Sequence, residues 1–489
     1  MIRSMMRAAC GVRVWGTVAT LFATAFVSFG QTVPIVQGTI VTGQCTGHAS
    51  EPGCVLPSLF GPQGLTLANS PQFPHYAHFI GSAQETLNQG VGTAIATQLA
   101  ILPLISPSSG FTYKYDSAAG VFTRSTTSFG PIYTERAETI GRGKFAFGVS
   151  YQRFRFGSLD GTNLHNIPAV FTHIPGTGPG GADEPYEADV IQTSNHLDLN
   201  MDQTILYGTV GITDRLDISV AVPFVSVRFG ATSDATIIRV SGPTFQATPG
   251  GPQIPNPHEF PNGTLFNAYS STGTAFGVGD VTVRVKQTVF QSGGLSIAAA
   301  MDVRAPSGDP LRFLGSGATG VKPFVAFSAS KRFSPHVNLG YQWNGSSILA
   351  GNVTGTTVSE INEQAVIHNG PAISSPLPSQ YFYSLGADYG ATKRLTLNFD
   401  YLGQVLVHAP RVFSSTITTA DIPGGTGALT LPTITSGKDT IGLNSGAVGL
   451  KFNVHDQFLV TADLLFRMDN RGLRQDVTPL LAVSYAFGK

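Results

Sequence analysis

Residues 458–467 read Phe-Leu-Val-Thr-Ala-Asp-Leu-Leu-Phe-Arg, and their alternation decides the fold. Phe458, Val460, Ala462, Leu464 and Phe466 share one face of an extended chain, while Thr461, Asp463 and Arg467 occupy the other. The rhythm returns at 477–487, where Val477, Leu481, Val483, Tyr485 and Phe487 oppose Thr478, Ala482, Ser484 and Ala486. Successive side chains of a strand point to opposite faces. A strand with an oily face and a face carrying Asp and Arg does not fit a soluble core that buries both sides. It fits a bilayer when lipid touches one face and a polar lumen the other. The pattern predicts an all-β membrane fold, an antiparallel transmembrane β-barrel.

Working outward, the alternation extends back to Gly143 and gives twelve strands, with fourteen as the alternative. In the first, Phe145, Phe147, Val149 and Tyr151 oppose Lys144, Ala146, Gly148, Ser150 and Gln152. Phe154 and Phe156 then oppose Arg153 and Arg155, which suggests a bulge or the exit from lipid. In the second, Leu197, Leu199, Met201 and Ile205 form the predicted lipid face; His196, Asp198, Asn200, Asp202 and Thr204 form the lumen face. Further strands run near 216–228, 279–290, 295–304, 321–331, 337–344, 381–389, 395–405, 441–452, 458–468 and 477–487. Near 441–452 the apolar face switches between Leu443 and Val448. Short turns at 213–215, 291–294, 334–336, 391–394 and 455–456 alternate with long loops near 157–194, 229–277, 305–320, 345–379 and 407–440. Short periplasmic turns and long outside loops are the habit of outer-membrane barrels. The aromatic terminus Ser484-Tyr485-Ala486-Phe487 is like the signal read by the barrel-assembly machinery, although Gly488 and Lys489 follow it.

Ahead of the barrel the chain is different. Arg3, Arg7 and Arg13 precede an apolar stretch from Val14 to Phe29, a secretory signal peptide spanning 1–30 with cleavage after Gly30. Cys10 leaves with it, and Cys45 and Cys54 remain as a pair for a local disulfide in an oxidising periplasm. Residues 31–142 lack the alternation and read as a small plug-like or periplasmic region. Within it, Ser82-Ala-Gln-Glu85 reads as a capping box opening a helix. Its stripe is Leu87, Val91, Ile95 and Leu99, and Pro103 ends it. Phe111, Tyr113, Tyr115, Gly120 and Val121 read as a hairpin.

The faces assign candidate site residues. The lumen gains Asp198, Asp202, Asp280, Arg284, Lys286, Asp302, Arg304, Asp388, Asp400, Asp463 and Arg467. Two roles stay open for them: ion pairs that fix register and fill a narrow barrel, or a charged lining that polarises passing solutes. Glu135 and Arg136, where the plug-like region hands over to the first strand, either clamp that region to lumenal charges such as Arg284 or Asp302 or face periplasmic water. Charged residues make up only 12% of the chain and formal net charge is zero, which gives no electrostatic reason for a nucleic-acid partner. Catalysis is not expected. There is no G-x-S-x-G or H-E-x-x-H motif, and Ser194-Asn195-His196-Leu197-Asp198 lacks the serine that outer-membrane phospholipases pair with their histidine. The glycine runs 176–181 and 424–427 join no strand to a helix and read as loop rather than phosphate cradle. His165, His173 and His258 lie in loops and are not expected to bind metal; no cofactor is expected.

Four segments carry a family resemblance: Ile95-Ala-Thr-Gln-Leu99, Phe111-Thr-Tyr113, Ser128-Phe-Gly-Pro-Ile-Tyr-Thr-Glu-Arg-Ala137 with Ile140-Gly141 after it, and Phe276-Gly-Val-Gly-Asp-Val-Thr-Val-Arg284. The chain resembles transporter-like outer-membrane barrels grouped with the phenol-degradation meta-pathway family, distantly similar to long-chain fatty-acid and aromatic-hydrocarbon channels. The resemblance covers most of 85–300 plus the general barrel pattern to the end, and implies transport without naming the solute. Together with the low charge and aromatic content, it sets an expectation of passive passage of a small hydrophobic or aromatic solute across the outer membrane of a Gram-negative cell. The alternative is a structural or surface-interaction barrel with a plugged lumen. Oligomeric state is not legible.

Overall fold

A computed structural model describes residues 40–68, 76–102, 105–106, 110, 112–116, 121–124, 128–173, 185–246, 250–361, 364–455 and 457–487. The signal peptide, Pro103, Phe111, Gly120, the glycine run 176–181, Asp456 and the final Gly488-Lys489 lie outside these residues.

Twelve strands close into one antiparallel barrel. They are β1 (Phe145–Phe156), β2 (Val190–Thr213), β3 (Leu216–Ile238), β4 (Thr282–Ser292), β5 (Leu295–Arg304) and β6 (Gly320–Ala329). Then follow β7 (Phe333–Asn344), β8 (Ser379–Gly390), β9 (Leu395–Thr418), β10 (Thr430–His455), β11 (Phe458–Arg467) and β12 (Val477–Phe487). Each pairs with the next, and β12 returns to β1 with Phe487 opposite Phe145. Two further strands extend the wall upward. Ile167–Thr172 continues the track of β1 along β2, and Phe266–Val278 continues the track of β4 along β3. Between Val278, opposite Phe224, and Thr282, opposite Ala221, this last track carries one residue more than β3. Such an extra residue bends the strand and moves the inward face from odd to even positions.

The outer face below this level is a lipid belt. Leu206, Val285, Leu339, Phe399, Leu464 and Leu481 all project outward and are exposed. Aromatic residues flank it: Phe145, Phe147, Phe333 and Phe458 near the turns, and Tyr151, Tyr341, Trp343 and Tyr381 toward the other end. A closed barrel leaves no unpaired edge in hydrocarbon, and aromatic girdles mark both interfaces. The chain is a multi-pass outer-membrane β-barrel. No described helix is long and apolar enough to cross a membrane.

Strand length is where the structure departs most from expectation. β2 and β9 run 24 residues and β10 runs 26, whereas a membrane crossing takes about 9–11. Much of the sequence expected as loop in 157–194, 229–277 and 407–440 is therefore barrel wall standing above the lipid. There the faces exchange character. Leu197, Leu199, Met201 and Ile205 point inward and are buried, and His196 and Asp198 are exposed outside. The register expected for this strand is inverted, because outside its upper half lies water and inside lies an apolar core. The same inversion accounts for Phe154 and Phe156, which are buried while Arg153 and Arg155 face out; β1 has no bulge there. It also accounts for Leu443, which faces inward on the same alternation that sends Val448 to lipid. The expected turn at 334–336 lies inside β7; Ser330, Lys331 and Arg332 turn the chain instead.

That core is built on the N-terminal region, whose described residues lie within the barrel and form one compact unit with it. Cys45 and Cys54 are joined by a disulfide. Helical stretches Ile80–Ala83, Gln84–Gly92 and Thr93–Leu99 run end to end, the middle one wound as π-helix. Leu87, Val91, Ile95 and Leu99 are buried against Phe156, Leu197, Leu199, Val227 and Phe229 of the wall. The helix begins two residues before Ser82, so the expected capping box does not form; the Ser82 hydroxyl instead accepts the Thr172 amide at 3.1 Å. A hairpin pairs Tyr113–Asp116 with Val121–Arg124.

Candidate functional site

Below the helix, residues 128–140 cross the barrel interior as a strap without regular secondary structure. A buried strap must find a partner for every backbone N–H and C=O. Here the inward-facing side chains of the barrel supply them. The Glu135 amide donates to Asn338 Oδ1 at 2.6 Å, and Asn338 Nδ2 returns a bond to the Glu135 carbonyl at 2.9 Å. Asp400 accepts the Ile132 and Tyr133 amides, both at 3.2 Å, and Asp217 accepts that of Ile140 at 2.9 Å. Ser328 accepts the Ala137 amide, and Thr288 donates to the Ala137 carbonyl at 2.6 Å. Lys286 donates to the carbonyls of Arg136 and Glu138, and Lys451 to those of Pro131 and Phe129. This is a physical reason for a narrow barrel to carry so polar an inner wall.

The strap's Glu135 is the electrostatic centre. Its carboxylate pairs with Arg284 and with Lys286, the latter at 2.7 Å, and accepts the Ser106 hydroxyl. Arg284 in turn chelates Asp302 through Nε at 2.6 Å and Nη2 at 2.8 Å, and Lys322 reaches the same Asp302 at 2.9 Å. Burial alone would raise the Glu135 pKa, but Lys286 and Arg284 outweigh it and hold the group at about 2. Arg136 is buried, lying 3.9 Å from Glu138, 3.3 Å from Ser128 Oγ and across Gly130. Gly130 has φ +76° and a Cβ there would collide with the guanidinium. Glu135 touches the wall cations directly, and Arg136 meets Thr112, Ser128 and Glu138 while its charge acts on Asp388 of the wall.

Of the charges assigned to the lumen, Asp280, Arg284, Lys286, Asp302, Arg304, Asp388, Asp400 and Asp463 are inside and largely buried. Asp280 sits at the extra residue before β4 and binds the loop above it, accepting the Gly308 and Ser316 amides. Arg304 donates to the Ala100 carbonyl at the helix end and to Asn344. Asp388 pairs with His336, which also contacts Ser328 at 2.9 Å. Two residues are corrected. Asp198 and Asp202 project outside the barrel above the lipid, where Asp202 meets Arg153 and Tyr151. Arg467 keeps the inward alternation of β11 at its upper end, where it meets Asp476 and Ser158. Among the described residues no group of three His, Cys, Asp or Glu side chains is placed to hold a metal ion. His165 stacks on His196, His173 hydrogen-bonds His78, and His258 bonds Asp189.

Between helix end, strap and wall lies a cavity of about 190 Å³. Leu99, Ile101, Leu102, Ile105 and Leu402 give it an apolar side. Arg284, Asp302, Lys322, Gln342 and Gln380 give it a polar side, and it reaches Asp280 and Phe313–Ser316 at the bend in the wall. Lys322 Nζ lies 5.0 Å from the Phe382 ring centre and 5.8 Å from that of Phe324. Sequence reasoning reached the charges but not the cavity, because helix and strap are brought against the wall only by the fold.

Fold and site define a transmembrane β-barrel whose interior holds its own N-terminal segment. Residues 182–367 match the model of the family described as putative MetA-pathway of phenol degradation. No curated protein matches. Among solved structures, an outer membrane channel from Pseudomonas putida F1 aligns at 12% identity over 72% of this chain and 98% of its own, with a TM-score of 0.39. A mutant of the TodX monoaromatic hydrocarbon channel aligns at 10% identity over 80% and 98%, TM-score 0.31. A FadL homologue of Pseudomonas aeruginosa aligns at 9% identity over 71% and 90%, TM-score 0.28.

Proposed function

We propose that this barrel is an outer-membrane channel for passive passage of a small, hydrophobic or aromatic solute, gated by the strap and helix inside it. The supporting observation is the cavity. Its volume of about 190 Å³ exceeds the roughly 150 Å³ apolar cavity that admits benzene. One wall offers apolar contact, and the other offers the Phe324 and Phe382 rings beside a lysine, so a ring bearing one polar substituent finds both of its ends matched. Polar groups placed in a mostly apolar pocket fix orientation and selectivity. The similarity to the phenol-degradation family over 182–367 points the same way. Export by the signal peptide, cut after Gly30, and insertion by the barrel-assembly machinery complete the reading.

The test is uptake into liposomes containing the purified protein, using phenol-sized aromatic solutes and sugars of equal mass. Aromatic uptake should exceed sugar uptake, and Leu402→Trp, which fills the apolar side, should abolish the difference. Equal, background-level uptake of both by the wild type and by the strap variant Glu135→Gln would favour a barrel that acts structurally through its outer surface.

A further inference from the structure

Beneath the cavity the wall holds buried oxygens without hydrogen-bond donors. Asp463 on β11 is 4% exposed, and neither of its carboxylate oxygens has a partner. Asp400 gives Oδ2 to the strap amides, but its Oδ1 has none. Asn398 donates through Nδ2 to the Gly130 carbonyl at 2.7 Å, leaving Oδ1 without a donor. The Tyr133 hydroxyl of the strap is buried and without a partner as well. Lys451, whose charge acts on Asp463, directs its ammonium to the Pro131 and Phe129 carbonyls.

These groups share one patch of wall. Asn398, Gly449 and Asp463 stand opposite one another on β9, β10 and β11, and Asp400 is the next inward residue on β9. Gly449 has no side chain, and a Cβ there would collide with Asp463 Oδ2, so the carboxylate lies over the glycine. The charges of Asp463 and Asp400 both act on the Tyr133 phenol, whose pKa is raised by burial first and by these carboxylates after it. A buried carboxylate without a donor is strongly disfavoured unless a counter-charge sits against it. An all-oxygen donor set with two carboxylates suits a hard cation, which takes about 6–8 oxygens in the case of calcium, some of them water.

We propose that Asp463, Asp400, Asn398 Oδ1 and the Tyr133 hydroxyl hold a calcium-class cation that ties the strap to β9 and β11. Because Tyr133 belongs to the strap and the other ligands to the wall, the ion acts as a cross-link. The site stands independently of any transported solute.

The experiment uses the full-length barrel folded in detergent, stripped with chelator and titrated with CaCl₂, with MgCl₂ and NaCl at matched ionic strength beside it. One calcium should bind per chain, and the unfolding temperature should rise saturably with calcium. Asp463→Asn should weaken binding by roughly tenfold or more, because it removes a ligand charge, while Asp476→Asn at the exposed rim should not. Asn398→Leu keeps both carboxylates and should also weaken binding, which covers the case in which Asp463→Asn does not fold. An absence of saturable calcium binding to the wild type, full-affinity binding by both variants, or equal stabilisation by all three salts would overturn the proposal.

Discussion

The upper and lower halves of this barrel bury the same N-terminal region by opposite chemistries. Above the lipid, a helix brings an apolar stripe, and the wall answers with Phe156, Leu197, Leu199 and Phe229 while its outside turns polar. Within the lipid, an irregular strap brings bare backbone, and the wall answers with Ser328, Asn338, Asp400 and Lys451 while its outside turns apolar. A helix satisfies its own backbone and asks the wall only for apolar contact; an irregular segment cannot, and asks for donors and acceptors. The inner surface of a barrel is therefore matched to the secondary structure of what fills it, and the outer surface to the solvent at that height.

The comparison predicts the heaviest damage where the strap is held by charge. Glu135→Ala leaves Arg284 and Lys286 facing each other around a missing partner and should cost about 3–5 kcal/mol. Denaturant unfolding in detergent would measure it, alongside a rise in single-channel conductance as the strap loosens. A loss below about 1 kcal/mol would show that the strap is held by its backbone bonds alone.

Acid should act on the same contact. The Glu135 pKa falls from an ordinary 4.5 to about 2, so its contribution is fully present above about pH 4.5 and is lost as pH falls toward 2. Over that window the wild type should lose on the order of 3 kcal/mol from this group, at about 1.4 kcal/mol per pKa unit. Glu135→Gln should show a correspondingly shallower acid limb in unfolding measured by tryptophan fluorescence; parallel curves for the two proteins would break the assignment.

In the upper half the loss should come from packing. Leu199→Ala removes a fully buried side chain beneath the helix and should cost at least about 2 kcal/mol. Protease sensitivity of the helix should rise with it. The adjacent Asp198→Leu, outside the wall above the lipid, should change stability by no more than about 0.5 kcal/mol. If the two effects were reversed, the exchange of faces between the halves would be wrong.

Much of this was legible in the chain itself. The twelve-strand barrel, the final two strands almost to the residue, and the stripe Leu87, Val91, Ile95 and Leu99 all follow from local periodicity and residue type. β5 falls where the alternation places it, at Leu295–Arg304. Asp198 and Leu199 show where such reading fails. Alternation says that two neighbours face opposite ways; it does not say which way is in.

By itself, then, the sequence determined that the chain forms strands of two unlike faces, closes them into a barrel and carries a non-repeating segment ahead of them. Those properties depend on neighbours along the chain. Only the tertiary structure decided that β2, β9 and β10 continue beyond the bilayer, that the leading segment lies within the barrel, and that Asn398 and Asp463 flank Gly449 on neighbouring strands. The polarity of a face has meaning only relative to the medium touching it, and that medium is set by height in the membrane and by what lies within the barrel.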